Sequence, residues 1–196
     1  MIVGFDCQHR GEVSFEACLR CAAAHDNPCP FDFAILKAMI AGMRQRVRGI
    51  RVTQLTGCPR RPVLEARHTY YDRPERRYFA FRGRMIHRVL ESAQLASAVT
   101  EQRFYRTIDG LTIGGQPDAV FPQARLLRDY KTIRRIGSWL RDPKPAHAEQ
   151  VNIYAWLVAE RFPVERAEVI YLDMSGALRL AVPLRPLEEV EEMVIA

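Results

Sequence analysis

Between Gly114 and Thr132 the chain reads GGQPDAVFPQARLLRDYKT, and no other stretch constrains the fold as much. Two strand-like runs flank turn residues at Pro122–Gln123, and the second run carries charges inside an otherwise apolar strand. Side chains alternate faces along a strand, so Asp129 and Lys131 share a face with Leu127, while Leu126 and Tyr130 point to the opposite layer. Folding residues 116–121 back onto the second run brings Asp118 beside Asp129. Two carboxylates and a lysine then converge. Carboxylates suit hard cations such as Mg²⁺ or Mn²⁺, and a bound ion activates water and neutralises charge on an attacked phosphate. With the lysine as a second cation, the set fits phosphodiester hydrolysis. The duller alternative is a turn residue, Asp118, beside a surface ion pair, Asp129 with Lys131.

The 196 residues leave room for one well-cored domain and a small appendage. With 48% hydrophobic and 27% charged residues the composition is that of a globular chain, not a disordered or fibrous one. No apolar run reaches the ~20 residues of a membrane span, and the start MIVGFDCQHRG is too polar for a signal peptide. A cytoplasmic protein without a membrane partner is expected. Formal net charge is +6, carried by 26 Arg against only Lys37, Lys131 and Lys144. Guanidinium forks match phosphate, which points to a polyanionic partner, although each Arg equally serves as an ordinary surface cation. The scarcity of lysine singles out Lys131.

Residues 1–32 hold four of the five cysteines and little apolar periodicity, and read as a Cys-rich metal-binding module ahead of a main domain over 33–196. Cys7, Cys18, Cys21 and Cys29 give C-x10-C-x2-C-x7-C, a spacing that suits a structural Zn²⁺, with His9 and His25 as substitute ligands. Leu36, Met39, Ile40, Met43 and Val47 predict a helix from Phe33 that links the two parts. A short β-like stretch precedes Thr56–Gly57, a helical segment runs from Pro62 to Thr69, and YYDRPERRY reads as a polar loop. Ile86, Val89, Leu90, Ala93 and Ala96 predict a helix over 84–97, with His87 and Glu91 to its side. Four strands follow, over Glu101–Tyr105, Leu111–Ile113, Gln116–Phe121 and Arg125–Lys131, with Gly114–Gly115 as turn residues. A helix marked by Val151, Tyr154, Ala155, Val158 and Phe162 precedes strands Ala167–Leu172 and Ala177–Pro183. This order predicts an α/β or α+β domain around one mixed sheet.

The spacing QPD, ten residues, DYK resembles the PD-(D/E)XK nuclease signature, and its surroundings resemble the RecB-like branch. GRMIH, with His87, is similar to that branch's upstream histidine motif, and QVNIY, with Gln150 and Tyr154, to its downstream helix motif. Cys58 in GCPRR resembles the cysteine that opens the nuclease domain of the CRISPR-associated RecB-like exonucleases. The resemblance covers roughly residues 52–182 and implies a restriction-endonuclease-like core, with a central mixed sheet flanked by helices. It implies His87, Asp118, Asp129 and the Tyr130 carbonyl as metal ligands, Lys131 as the catalytic lysine, and Gln150 and Tyr154 as residues shaping the site and the DNA path. Glu101 is a further, weaker candidate. Taken singly, His87 and Gln150 also read as solvated helix residues and Tyr154 as core.

Those exonucleases bind an iron–sulfur cluster through one cysteine before the nuclease domain and three after it. Here no cysteine follows Cys58. The alternatives are Zn²⁺ on the first four cysteines, a 4Fe–4S cluster on Cys58 with three of them, and a chain that continues beyond Ala196. The function expected is a metal-dependent DNA nuclease, an exonuclease on DNA ends or single strands, in recombination, repair or CRISPR adaptation and working beside proteins of those processes. The alternative is a zinc-containing DNA-binding or scaffold protein with a non-catalytic nuclease fold. A restriction-type endonuclease would need sequence-reading elements that the chain does not display.

Overall fold

The structure, a computed structural model, describes residues 1–24, 29–43, 49–58, 60–93, 97–100 and 102–195. Glu101 and His25, and with them Val47 and Ala96 of the predicted helices, lie outside the described residues. In chain order the elements are β1 (Ile2–Cys7), β2 (Gly11–Ser14), α1 (Phe15–Ala22), α2 (Phe33–Ala41), β3 (Ile50–Arg51), α3 (Val52–Leu55) and α4 (Arg60–Arg67). There follow β4 (Tyr70–Asp72), α5 (Pro74–Ser92), β5 (Phe104–Ile108), β6 (Leu111–Gly115), β7 (Ala119–Phe121) and β8 (Leu126–Thr132). The last are α6 (Pro145–Val158), β9 (Arg166–Leu172), β10 (Ala177–Val182) and α7 (Leu187–Ile195). They divide into two compact units, one of residues 1–46 and 60–85, the other of residues 47–59 and 86–196.

In the first unit β1 pairs antiparallel with β2 and parallel with β4. Ser14 caps α1 by accepting from the Ala17 N–H at 3.2 Å, and Asp32 caps α2 by accepting from Ile35 at 2.8 Å. Phe5, Cys18, Leu36 and Met39 form a buried cluster against which Phe15, Leu19, Phe31, Tyr78 and Phe81 pack. The first thirty residues therefore contribute to a real core. Their apolar side chains are spread over a six-residue strand and an eight-residue helix, too short for either period to show. The reading of YYDRPERRY as a loop is corrected: Tyr70–Asp72 is a strand, and the helix expected from residue 84 begins at Pro74. Proline suits a first helical turn, where its missing N–H has no partner to lose.

The second unit is a mixed α/β fold. β8 lies between β7, antiparallel, and β9, parallel, with β10 beyond β9. The parallel pair is connected by α6, as such a crossover requires. α6 is buried from Gln150 to Val158, apolar on nearly every side as a core helix must be. Its polar Asn152 is satisfied internally, donating to the Ala148 and Pro183 carbonyls and accepting from the Arg185 N–H at 2.8 Å. Among the described residues the strands of the whole chain form three sheets, not one, because β3-β6-β5 is separate from β10-β9-β8-β7. β6 ends at Gly115 and β7 starts at Ala119, and Pro117 between them has no N–H to carry a ladder across. Gly114–Gly115 lie in β6 and are not turn residues. A Cβ on Gly115 would stand 2.7 Å from Tyr154 Cε1, so the bare backbone lets β6 rest directly on α6.

Candidate active site

The β7–β8 hairpin builds the site. Its turn closes through the Arg125 N–H onto the Pro122 carbonyl at 3.2 Å, with Arg125 at φ 46°. The register pairs Ala119 with Arg128 and Val120 with Leu127. One step further along that ladder, beyond the end of β7, Asp118 comes level with Asp129. Asp118 Oδ2 accepts from the Tyr130 N–H at 2.7 Å, and Asp118 Oδ1 stands 3.1 Å from His87 Nδ1 on α5. A residue's N–H and C=O point the same way from an extended strand, so the Tyr130 carbonyl faces the Asp118 side as well.

Asp129 is the most deeply buried acid described, 1% exposed. Lys131 Nζ stands 2.6 Å from Asp129 Oδ2, yet that oxygen has no hydrogen-bond partner of proper angle. The contact is one of charge rather than a directed bond. Burial raises the Asp129 carboxyl to about 6, more than the Lys131 charge beside it lowers it, and Asp118 adds to the rise. His87 is raised by its bond to Asp118, against the opposing effect of burial.

Of the residues expected at the site, the structure places His87 beside Asp118, Asp118 on the Tyr130 N–H, and Lys131 against Asp129. Gln150 and Tyr154 are buried on α6 and bond to each other, Gln150 Nε2 donating to the Tyr154 hydroxyl at 2.8 Å. Cys58 is exposed. Four residues near the site went unrecognised. Glu91 and Thr100, together with His87, Asp118 and Tyr130, line a cavity of about 20 Å³, room for a water or an ion. Glu91 is one helical turn from His87, a spacing that could have marked it. Tyr171 is the β9 partner of Lys131, and its hydroxyl meets His147 Nδ1 at 3.0 Å and accepts from the Lys144 N–H at 2.9 Å. Burial, with the charges of Lys131 and Lys144, pushes His147 down to about 4, so its imidazole is neutral.

Cys7, Cys18, Cys21 and Cys29 of the first unit, with His9, line a cavity of about 300 Å³. Burial pushes the Cys18 thiol up to about 11, and Cys29, Cys7 and Cys21 push the same way. Among the described residues no three His, Cys, Asp or Glu side chains converge as a ready metal site, at either place. The donor chemistry nevertheless fits. Asp129 Oδ2 is a buried carboxylate oxygen with the Lys131 ammonium as its one close partner and a second acid level with it, a setting a dication would relieve, and four neighbouring thiols suit Zn²⁺.

No protein-family model matches this sequence, and no curated protein does. Solved structures share its fold, SSO0001 and an alkaline exonuclease among them. SSO0001 is 23% identical with a TM-score of 0.59, over 81% of this chain and 81% of that one. A phage-related exonuclease from Haemophilus somnus 129PT is 12% identical with a TM-score of 0.48, over 75% of this chain and 88% of that one. An alkaline exonuclease (LHK-Exo) from Laribacter hongkongensis is 12% identical with a TM-score of 0.51, over 81% of this chain and 88% of that one, and with it this chain shares its fold.

Proposed function

We propose that the chain is a RecB-like, metal-dependent deoxyribonuclease that hydrolyses phosphodiester bonds at DNA ends or in single strands, in recombination, repair or CRISPR adaptation. The observation that carries this reading is Asp129, an ionisable group buried on a central strand, level with Asp118 and in charge contact with Lys131. A structural acid would be given directed donors. Asp129 is left one lysine, 2.6 Å from an oxygen that has no other partner.

Asp118, Asp129, His87 and the Tyr130 carbonyl would hold Mg²⁺ or Mn²⁺. Bound there, the ion supplies Lewis acidity toward a phosphate and a water. An imidazole among oxygen ligands favours Mn²⁺ over Mg²⁺. Lys131 donates toward the attacking water or the phosphate oxygens, and Asp129 keeps that ammonium in place. His87 is oriented by Asp118, and Asp118 by the Tyr130 N–H. Gln150 and Tyr154 hold each other from within α6. The Cys-rich segment, residues 1–32, would carry a structural zinc on Cys7, Cys18, Cys21 and Cys29, and a cation there would offset the burial that holds the Cys18 thiol protonated. Linear DNA incubated with the purified protein and Mn²⁺ should be degraded, and EDTA should stop it. Sustained cleavage after exhaustive chelation overturns the mechanism. Binding of DNA with no cleavage under any divalent ion leaves the scaffold reading in its place.

A further inference from the structure

The segment between β8 and α6, Ile133–Lys144, has two faces. Ile133 and Leu140 are buried, while Arg134, Arg135, Trp139 and Arg141 are exposed. It is pinned at both ends and in the middle: the Ile133 N–H donates to the Leu172 carbonyl at 2.9 Å, Ile136 to Asp173 Oδ2 at 2.5 Å, and Lys144 to the Tyr171 hydroxyl. The outward side chains are therefore presented from an ordered backbone. Trp139 is 63% exposed, an expensive posture for the largest apolar side chain, and its ring covers Gly137 so closely that a Cβ there would meet Nε1 at 2.4 Å. Lys144 Nζ stands 5.8 Å from the ring centroid.

The cations here differ from those nearby. Arg106, Arg125 and Arg128 each face a glutamate, whereas Arg134, Arg135 and Arg141 form no ion pair among the described residues. Asp142 is the only acid in the segment. The platform is also tied to Lys131, because the residue paired with Lys131 across the β8–β9 ladder is Tyr171, which holds Lys144, which lies over Trp139.

From this juxtaposition we infer that Trp139, with Arg134, Arg135 and Arg141, is a stacking platform for single-stranded DNA leading to the Lys131 side of the site. An exposed indole offers a face to any base, and unpaired guanidinium groups beside it suit the phosphates on either side. Duplex DNA, its bases already stacked, has none to give. The inference rests on the nuclease reading for the direction of the strand but not for the binding itself.

The test is a titration of an oligothymidylate in EDTA, which keeps the DNA intact, with wild type, Trp139→Phe, Trp139→Ala and the Arg134→Ala, Arg135→Ala pair. Trp139→Ala should weaken binding about tenfold, as loss of one stacked base does, while Trp139→Phe keeps most of it. Affinity for a blunt duplex should stay within about twofold in both Trp139 variants, since no base stacks on the ring there. Wild-type fluorescence should be quenched by the oligonucleotide and that of Trp139→Phe should not, because the other tryptophan, Trp156, is fully buried. The arginine pair should weaken binding and flatten its dependence on salt. Unchanged oligonucleotide affinity in Trp139→Ala, or an equal loss on blunt duplex, overturns the platform. If Trp139→Ala loses single-strand affinity while the wild type cuts nothing, the platform stands and the nuclease reading falls; normal cleavage with no Trp139 effect gives the reverse.

Discussion

Among the described residues each unit buries one aspartate on a β-strand, and the two are treated differently. Asp72, in β4, is 9% exposed, accepts from the Arg73 N–H at 2.9 Å, and lies 2.7 Å from Arg77 Nε and 3.8 Å from Arg76 Nη1. The Arg77 contact is off the hydrogen-bonding angle, but the charge is surrounded and one oxygen has a directed donor. It sits just ahead of α5, where the helix dipole also favours an anion. Asp129, buried more completely, has one lysine, a second acid level with it and no directed donor on Oδ2. Burial explains neither by itself. The first acid is surrounded by cations and a directed donor, whereas the second, with one lysine and a second acid level with it, is the one that a bound cation would relieve.

The largest effect that tests this contrast is on cleavage. Asp129→Asn keeps the volume and removes the charge, and Lys131→Ala removes the neighbouring cation. Each should fold, still bind DNA, and lose about 10²–10³ in rate. Matched time courses and binding isotherms measure both, and undiminished cleavage by Asp129→Asn would end the assignment.

Next comes the pH dependence of stability without added metal. The folded carboxyl of Asp129 is raised from 3.8 to about 6, so the native state binds its proton more tightly than the unfolded chain. That contribution is fully present below pH 3.8 and is lost as pH rises through about 6, by on the order of 2–3 kcal/mol. Urea melts of Asp129→Asn should lack this loss, leaving the variant more stable than wild type near neutral pH. Asp72→Asn should do the opposite, costing about 2 kcal/mol at neutral pH while cleavage per folded molecule is unchanged. A stable Asp72→Asn would erase the distinction between the two acids. An effect confined to acid pH belongs to His147, lowered to about 4, whose contribution is present above pH 6.5 and is lost as pH falls through about 4. His147→Gln, melted across that window, should flatten the acid limb without moving the neutral plateau.

The hairpin that carries Asp118, Asp129 and Lys131 was legible because its signals are local: a two-period alternation, a turn with proline, and carboxylates whose spacing puts them level across the ladder. The α6 helix was equally plain from the helical spacing of Val151, Tyr154, Ala155 and Val158, although Phe162, counted with them, lies beyond its end. His87 was placed only by family resemblance, because the α5 face that meets Asp118 depends on a contact 31 residues away. Tyr171 and His147 were missed for a similar reason. Their tie to Lys131 is made through β9, whose register against β8 no local pattern encodes. The start of α5 was hidden by its composition: Arg73, Arg76 and Arg77 made the segment look like a loop, and the apolar anchors Tyr78 and Phe81 fell among them.

The parallel pairing of β8 with β9 has a consequence in time as well as in space. β7 and β8 are joined by four residues and can meet quickly, whereas β9 reaches β8 only after the chain has passed through α6, with Leu126 paired to Arg166. Non-local pairings of this kind form late. Until they form, Asp129 is hydrated and costs nothing; the step that seats β9 and α6 is the one that strips its water. The cost of burying the charge therefore falls late on the path, and Asp129→Asn should show its gain chiefly as slower unfolding, with the rate of refolding little changed.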